Sequence, residues 1–229
     1  MRGYTLHMTF HIITLFPEMF DSYLGESILK RAREGGFISV KFYNPRDFSA
    51  DKHKTVDDKP YGGGPGMVMM VDPVLKAWEK AVSQNFVSKI FTHKKIKTYI
   101  FSPGGTTFTT QIAKHDAQEY SDIVFICGRY EGVDSRVKEI TGAEELSIGG
   151  YVLTGGELPA MVVVDCMSRQ IPGVLGKFES LEEERVSSHE MYTRPEHYTH
   201  KGKTFSVPEV LVSGDHKKIE AYKKGFSGN

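Results

Sequence analysis

The alternation of strand-like and helix-like segments is the feature of this sequence that most constrains its fold. Residues with strand chemistry form five runs: Thr9–Leu15, Phe37–Tyr43, Thr98–Phe101, Asp122–Ile126 and Glu144–Ile148. Segments with helical periodicity lie between and after them, the clearest at 17–29, 72–82, 111–120 and 158–169. Such alternation predicts an α/β fold, with a mostly parallel sheet and helices on both of its faces.

Glycine-bearing turns follow three of these predicted strands, at 102–105, 128–132 and 147–156. Ligands gather at the carboxyl ends of parallel strands, and glycine lets the backbone approach a ligand closely. The turns therefore predict one small-molecule site. The last two turns contain neither Gly-x-Gly-x-x-Gly nor a glycine-rich loop ending in Gly-Lys-Ser/Thr, so they do not indicate an ordinary nucleotide pocket.

The charge of the chain gives no overall field that would attract nucleic acid. Lys and Arg number 29, Asp and Glu also number 29, and the formal net charge is +0. An RNA partner would have to meet local basic clusters, which lie at 30–33, 52–54, 93–97 and 216–218. Each cluster taken alone is also explained as solvated surface charge, so RNA binding stays open.

The two cysteines, Cys127 and Cys166, are too few and too far apart for a disulfide framework or a Cys-rich zinc site. Both lie in apolar runs, which predicts buried free thiols in a reducing compartment. No apolar stretch approaches the ~18 residues of a membrane span. The N-terminus also lacks the apolar core of a signal peptide. We therefore expect a cytoplasmic location.

Several other residues have possible chemistry. The loop Tyr61–Gly66, inside a long polar segment, has the glycine and proline content of a shaped loop that clamps a flat or anionic substrate. The nearby His53 and the two aspartates after it match no closed zinc spacing. Arg129 and Glu131 either pair with each other or contact a ligand. Arg169 ends an apolar helix, where a cation can also complement the helix dipole.

Seven motifs together identify a family resemblance. They are Leu-Phe-Pro-Glu-Met-Phe (15–20), Pro-Arg-Asp-Phe (45–48), His-x-Thr-Val-Asp-Asp-x-Pro-Tyr-Gly-Gly-Gly-Pro-Gly-Met (53–67), Cys-Gly-Arg-Tyr-Glu-Gly (127–132), Ser-Ile-Gly-x-Tyr-Val-Leu-x-Gly-Gly-Glu-Leu-Pro-Ala (147–160), Ile-Pro-Gly-Val-Leu-Gly (171–176) and Tyr-Thr-Arg-Pro (192–195). Over about 9–218 the chain resembles the bacterial tRNA (guanine-N(1)-)-methyltransferases. The resemblance implies a trefoil knot, S-adenosyl-L-methionine as cofactor, possible use of Mg²⁺ without a defined protein site, and tRNA spanning a homodimer with the active site at the subunit interface.

The resemblance also implies roles for individual residues. Those expected to bind the cofactor are Ile100, Phe101, Ser102, Pro103, Gly128, Tyr130, Glu131, Ile148, Gly149, Gly150, Tyr151, Val152, Leu153, Gly155, Gly156 and Pro159. Those expected to bind the substrate are Tyr61, Gly62, Gly63, Gly64, Pro65 and Ser180. Glu184 aligns with the general base, and Arg169 with the cation that stabilises charge on the guanine oxo group.

The implied organisation has three parts: a knotted methyltransferase domain at 1–172, a flexible linker that contributes to the active site at 173–206, and a short, truncated tRNA-binding segment at 207–229. The family usually has aspartate where this chain has Glu184, and commonly has aspartate where it has Gly150. These differences leave an alternative, a member of the same fold that binds cofactor and tRNA with weak or lost catalysis. A third hypothesis, a nucleotide-dependent enzyme that transfers phosphate, is supported by the glycine turns alone.

Overall fold

A five-stranded parallel sheet forms the centre of the N-terminal part of the chain. Its strands are β1 (Met8–Ile13), β2 (Ile38–Tyr43), β5 (Ile96–Thr107), β6 (Asp122–Ile126) and β7 (Glu144–Ser147), in the spatial order β2-β1-β6-β5-β7. Two short strands, β3 (Asp57–Asp58) and β4 (Val68–Met69), pair antiparallel outside it. The α/β class predicted from the sequence is confirmed.

The computed structural model describes residues 7–83, 95–175 and 190–225. The chain divides into two compact units, Met1–Gly176 and Lys177–Asn229. None of the helices in the described ranges has the length and apolarity needed to cross a membrane.

Helices cover both faces of the sheet. They are α1 (Asp21–Leu24), α2 (Ser27–Glu34), α3 (Val71–Ser83), α4 (Thr110–Glu119), α5 (Ser135–Thr141) and α6 (Glu157–Arg169), with 3₁₀ turns at Pro17–Phe20 and Pro45–Phe48. Alternate residues of β6 point to opposite faces, as strand geometry requires. Phe125 packs in the cluster that includes residues of α2, α4 and α6, whereas Val124 packs in the cluster that includes residues of α3 and α5. The predicted helix over 17–29 is interrupted near Gly25, where the chain turns between α1 and α2.

A buried polar network crosses the sheet between β2, β1 and β6. The imidazole of His11, which is fully buried, lies between two partners. Its Nδ1 is 3.0 Å from the Tyr43 hydroxyl and its Nε2 is 3.1 Å from Asp122 Oδ1. Burial, followed by the nearby charge of Asp122, raises the pKa of Tyr43 to about 12. Because every member has a partner, the network satisfies polar groups that would otherwise be costly to bury.

Strand β5 continues well beyond its predicted end at Phe101. Both Phe101 and Thr106 pair with Leu146 of β7, so the residues between them bulge out of the ladder before pairing resumes. Gly105 allows the return, because a Cβ atom there would lie 2.5 Å from the carbonyl carbon of Glu145. The bulge brings Ser102 and Pro103 to the end of the sheet where the other glycine turns emerge.

The C-terminal unit contains a hairpin and two helices. The hairpin joins β8 (His197–His200) to β9 (Lys203–Ser206), and the helices are α7 (Glu209–Val212) and α8 (His216–Gly225). The sequence indicates no strand in the predicted flexible linker at 173–206, whereas the structure has a hairpin at 197–206. Lys201 and Gly202 form the two-residue connection, both with positive φ, as a type I′ hairpin turn requires. The proposed division at 172 and 206 stays a prediction.

Candidate functional site

A cavity of ≈ 280 Å³ opens where the predicted glycine turns meet, at the carboxyl ends of β6 and β7 and beside the bulge of β5. Its lining residues are Phe101, Ser102, Pro103, Gly128, Arg129, Tyr130, Glu131, Gly132, Leu146, Ser147, Ile148, Gly149, Tyr151, Val152, Leu153, Thr154, Gly155, Gly156 and Pro159. The structure therefore brings three separate sequence segments together around one space, at the sheet edge where ligands of parallel sheets are usually bound.

The residues predicted to bind a cofactor line this cavity, except for two. Ile100 packs instead against the core cluster on the other side of the sheet, because side chains alternate along β5. Gly150 lies at the outside of its turn, where an added Cβ atom would meet nothing within 4 Å. Five lining residues are absent from the predicted cofactor set: Arg129, Gly132, Leu146, Ser147 and Thr154. All of them except Leu146 lie inside the predicted turns at 128–132 and 147–156.

Two of the turns are joined by backbone contacts that only glycine permits. The amide of Gly156 donates to the carbonyl of Gly128 at 3.0 Å, and Arg129 forms an antiparallel bridge with Gly155. A Cβ atom at Gly156 would lie 2.7 Å from the Cα of Cys127. The second turn can therefore lie directly on the first, and the two turns together form one continuous wall of the cavity.

A buried ion pair supports this contact from below. Arg129 Nη2 lies 3.0 Å from Glu157 Oε2, and Glu157 is 1% exposed. The other carboxylate oxygen of Glu157 accepts a hydrogen bond from the Thr14 hydroxyl at 2.8 Å. The guanidinium also stacks over Phe16, 4.5 Å from the ring centroid. Of the two alternatives for Arg129, pairing with Glu131 is wrong: its carboxylate partner is Glu157, which the sequence analysis did not single out.

The cavity has no activated thiol. Cys127 is completely buried beneath the first turn, and burial raises the pKa of its thiol well above the usual value, with the charge of Glu157 adding to the effect. A protonated, inaccessible thiol is a poor nucleophile. Covalent catalysis through Cys127 is therefore excluded by its surroundings.

Aromatic side chains stand at the opening of the cavity. Tyr130 and Tyr151 are 50% and 54% exposed, although both line it. Tyr130 has a φ of 58°, a left-handed conformation that costs energy for a bulky residue. The Tyr151 hydroxyl donates to the carbonyl of Ile148 at 3.2 Å, which holds its ring across its own turn. The two rings give the entrance flat apolar walls.

The glycine- and proline-rich loop predicted to bind the substrate is anchored beside this cavity. Its own residues are exposed, with Tyr61 fully so. Where it ends, the amide of Glu131 donates to the carbonyl of Met67, and the amide of Met69 donates to the carbonyl of Gly132, both at 3.0 Å. Gly66 lies against the Glu131 side chain so closely that a Cβ atom would overlap it. The C-terminal end of the loop is therefore fixed to the first glycine turn.

Of the two predicted catalytic residues, Arg169 is in the described part of the chain and Glu184 is not. Arg169 is half-buried at the end of α6, in the last turn of the helix, and does not line the cavity. Glu184 and Ser180 lie outside the described residues. In the parts of the chain that the structure describes, no group of three or more His, Cys, Asp or Glu side chains could hold a metal ion. We therefore assign no residue to Mg²⁺.

Comparison with known proteins decides the family. The family model described as tRNA (Guanine-1)-methyltransferase TrmD matches residues 8–228. The chain belongs to this family. Its relatives include proteins named tRNA (guanine-N(1)-)-methyltransferase from Thermomicrobium roseum, 48% identical over 95% of this chain and 78% of that protein, and from Carboxydothermus hydrogenoformans, 46% identical over 95% and 81%. The relative with this name from Clostridioides difficile is 44% identical over 95% of this chain and 91% of its own length.

The donor groups of the cavity fit the S-adenosyl-L-methionine that membership of the TrmD family implies. Its walls are glycine backbone and apolar side chains such as Phe101, Ile148 and Leu153. Glu131 supplies a carboxylate, which suits a ligand with an amino group and a sulfonium cation. The guanidinium of Arg129 is already paired with Glu157, so the wall offers little counter-charge to a polyphosphate. The site therefore favours a cationic cofactor over a nucleoside triphosphate.

Proposed function

We propose that this protein transfers a methyl group from S-adenosyl-L-methionine to ring nitrogen 1 of the guanine that follows the anticodon of a tRNA. The observation that carries the proposal is the cavity built from three glycine-bearing segments in a chain of the TrmD family. When bound, S-adenosyl-L-methionine supplies an electrophilic methyl group. The chain must then bind the cofactor, present the guanine and remove a proton from it.

In this proposal the cofactor is held by the turns at 128–132 and 147–156 with the bulge of β5. Backbone groups of glycine approach the ligand closely, while Phe101, Ile148 and Leu153 cover its apolar parts. Glu131 is placed to attract the amino group or the sulfonium. The trefoil knot implied by the resemblance stays part of the proposal, as does the cofactor role of each lining residue.

The acceptor nitrogen needs help from the protein. Ring nitrogen 1 of guanine carries a proton and becomes a good nucleophile only when a base accepts it. We assign this to Glu184. As the proton leaves, negative charge spreads to the 6-oxo group, where a cation stabilises it. We assign this to Arg169. Because Arg169 does not line the cavity of the single chain, its role requires the guanine to reach the end of α6.

The guanine must leave its stack to reach a methyl group held in the cavity. The loop Tyr61–Gly66 is well placed to receive it, because its C-terminal end is hydrogen-bonded to the turn that carries Tyr130 and Glu131. A fully exposed tyrosine and four glycines leave the loop free to close on a flat ring. We propose this loop, with Ser180, as the part of the site that contacts the base.

We further propose a homodimer. Large apolar side chains are exposed together where the 3₁₀ turn at Pro17–Phe20 packs on α6: they are Phe16, Met19, Tyr23, Leu158 and Val162. We call these five residues the α6 patch. The Tyr23 hydroxyl donates to Asp165 of α6, which joins the part of the patch before α2 to the part on α6. Contiguous apolar surface of this kind is unusual on a monomer. The patch touches the cofactor wall, because Arg129 stacks on Phe16 and donates to the sulfur of Met19 at 3.0 Å.

Basic surface for tRNA is spread over several clusters rather than one. Some of these lysines are paired with acids: Lys54 with Asp47 at 3.6 Å, and Lys95 with Glu119 at 2.7 Å. These exposed ion pairs contribute little to stability. Each lysine can therefore leave its carboxylate partner and bind a phosphate of the RNA instead. Because the proposed substrate is tRNA, we also propose that the protein works in the cytoplasm.

Transfer of a labelled methyl group from S-adenosyl-L-methionine to unmodified tRNA tests the proposal. Incorporation is expected into tRNA with guanine after the anticodon and not into the same transcript with adenine there. Glu184→Ala should lose nearly all turnover while binding cofactor normally, with Glu183→Ala as the matched control. Cofactor and tRNA binding without any incorporation by the unchanged chain would instead favour the non-catalytic alternative.

A further inference from the structure

The β8–β9 hairpin of the C-terminal unit exposes both of its faces. Every residue from His197 to Ser206 is exposed. A two-stranded hairpin without a covering layer is marginally stable in water, so its ten residues gain little from burial. The hairpin therefore contributes little to the core of the unit, and its exposed side chains are the better candidates for a function.

The two faces of the hairpin differ in chemistry. Directly opposed residues share a face: Tyr198 pairs with Phe205 and His200 with Lys203. These four residues, which we call the aromatic face, carry two rings that are 59% and 52% exposed. The ammonium of Lys203 lies 5.1 Å from the centroid of the Phe205 ring. The opposite face is small and polar, with the hydroxyls of Thr199 and Thr204 3.0 Å apart.

The hairpin is also locally cationic in a chain whose formal net charge is +0. Residues 197–206 contain two lysines, two histidines and no acid. The neighbouring Glu196 approaches His197, on the opposite face, at 3.6 Å. The aromatic face therefore keeps a positive charge beside its rings, and this combination is complementary to a base attached to a phosphate.

We propose that the aromatic face binds unpaired nucleotides of RNA. Tyr198 and Phe205 provide the surface on which a base stacks, and Lys203 with His200 contacts the adjoining phosphate. The inference rests on the proposed function, because it supplies a contact for the tRNA substrate outside the cofactor cavity. It assigns a role to a segment that the sequence alone indicates only as linker.

Unpaired rather than duplex RNA is favoured by the exposure of the two rings. A base inside a helix has both of its faces covered by neighbouring bases, so an exposed tyrosine and phenylalanine gain nothing from it. A lysine alone would bind duplex and single strand through phosphate. The two exposed rings are thus the part of the face that selects a looped or terminal nucleotide.

Binding of an unmodified tRNA transcript to the full chain tests this proposal. The double variant Tyr198→Val with Phe205→Val keeps strand propensity while removing both rings, and it should bind tRNA about tenfold more weakly. Thr199→Val with Thr204→Val is the matched control on the opposite face and should bind like the parent, as should Tyr198→Phe, which keeps the ring. Affinity for a blunt RNA duplex should not change in any of them. Lys203→Gln should reduce the slope of log affinity against log salt by about one.

The outcomes separate this inference from the proposed function. If the parent binds and methylates tRNA but the ring-free double variant binds equally well, the aromatic face is not an RNA contact and the inference is wrong. If equal tRNA binding is accompanied by altered self-association of that variant, the hairpin contacts protein, which also overturns it. If the parent itself neither binds nor methylates tRNA, the proposed function fails and this inference fails with it. Cofactor affinity, measured by calorimetry, should stay unchanged throughout.

Discussion

Arg129 and Glu157 form an ion pair at 3.0 Å beneath the junction of two glycine turns. Arg129 comes from the turn after β6, and Glu157 is the first residue of α6. Neither Arg129 Nε nor Glu157 Oε2 makes a well-aligned hydrogen bond, so the attraction is mainly charge on charge. The pair fixes the distance between the two turns, which together form much of the wall of the cofactor cavity.

Glu157→Gln should weaken both the fold and the cofactor site. The change leaves the guanidinium of Arg129, whose side chain is only 16% exposed, without its counter-charge. Removing one partner of a buried pair costs about 3 kcal/mol, and cofactor affinity should fall about tenfold with the turns displaced. Urea unfolding and calorimetry measure the two effects. Glu79→Gln, on the exposed surface of α3, should change neither. If Glu157→Gln also leaves stability and cofactor affinity unchanged, the ion pair makes no net contribution to either.

Gly155→Ala should impair cofactor binding, whereas Gly150→Ala should not. A Cβ atom at Gly155 would lie 2.5 Å from Arg129 Nε and 2.6 Å from Glu157 Oε2, but one at Gly150 would meet nothing within 4 Å. Overpacking of this kind costs about 1–3 kcal/mol, which corresponds to at least fivefold weaker binding. Titration of both variants with S-adenosyl-L-methionine checks the difference. Equal affinities would mean that the turn adjusts without cost.

Tyr43→Phe should make the protein less sensitive to alkaline pH. Burial raises the pKa of Tyr43 to about 12 from the usual 10.0. Since the unfolded chain releases this proton first, the stabilising effect is complete below pH 10 and is lost as pH rises toward 12. Between these values the free energy of unfolding should fall less steeply in the variant, by about 1.4 kcal/mol per pH unit. Urea titrations at pH 10, pH 11 and pH 12 measure the slopes.

Tyr61→Phe is the control for this experiment, because Tyr61 is fully exposed. Its slope between pH 10 and pH 12 should equal that of the parent. A Tyr43→Phe variant with the parental slope would mean that Tyr43 ionises equally easily in the folded and unfolded chain. At neutral pH the same variant should be somewhat less stable, because His11 Nδ1 loses its partner at 3.0 Å.

Val162→Glu should dissociate the proposed dimer. The substitution places a carboxylate in the α6 patch, and in an interface with two-fold symmetry it appears twice. Burial of uncompensated charge should weaken association by about a hundredfold. Ile140→Glu is the matched control, since Ile140 is 55% exposed on α5, away from the patch. Sedimentation equilibrium distinguishes them, and an unchanged dimer in Val162→Glu would place the interface elsewhere.

The sheet and most of the cavity could be predicted from sequence because their signals are local. Apolar runs such as Asp122–Ile126 form strands with nearly the predicted bounds. The glycine turns meet because parallel strands end at one edge. The bulge in β5 could not be predicted, because Pro103 and Gly104 ordinarily end a strand and only the pairing with Leu146 brings the chain back.

Two functional features depended on contacts that the sequence does not display. Glu157 resembles an ordinary acid in the first turn of a helix, and its pairing with Arg129 follows only from the way the second turn lies on the first. The hairpin was missed because Lys201-Gly202 is a weaker turn signal than Asn-Gly or Asp-Gly. Its alternation of aromatic, hydroxyl and cationic residues also contains no apolar stripe that would mark a core strand.

The hydrogen bond between His11 and Asp122 joins residues 111 positions apart, in the adjacent strands β1 and β6 of the sheet. During translation, β1 and β2 leave the ribosome long before β6 exists. One edge of β1 and the Nε2 atom of its buried imidazole then have no native partner, because only Nδ1 can already bond to Tyr43 of β2. Strand pairing over such distances is slow. Production of the protein therefore depends on keeping the early strands from associating with other chains until about residue 126 has been synthesised.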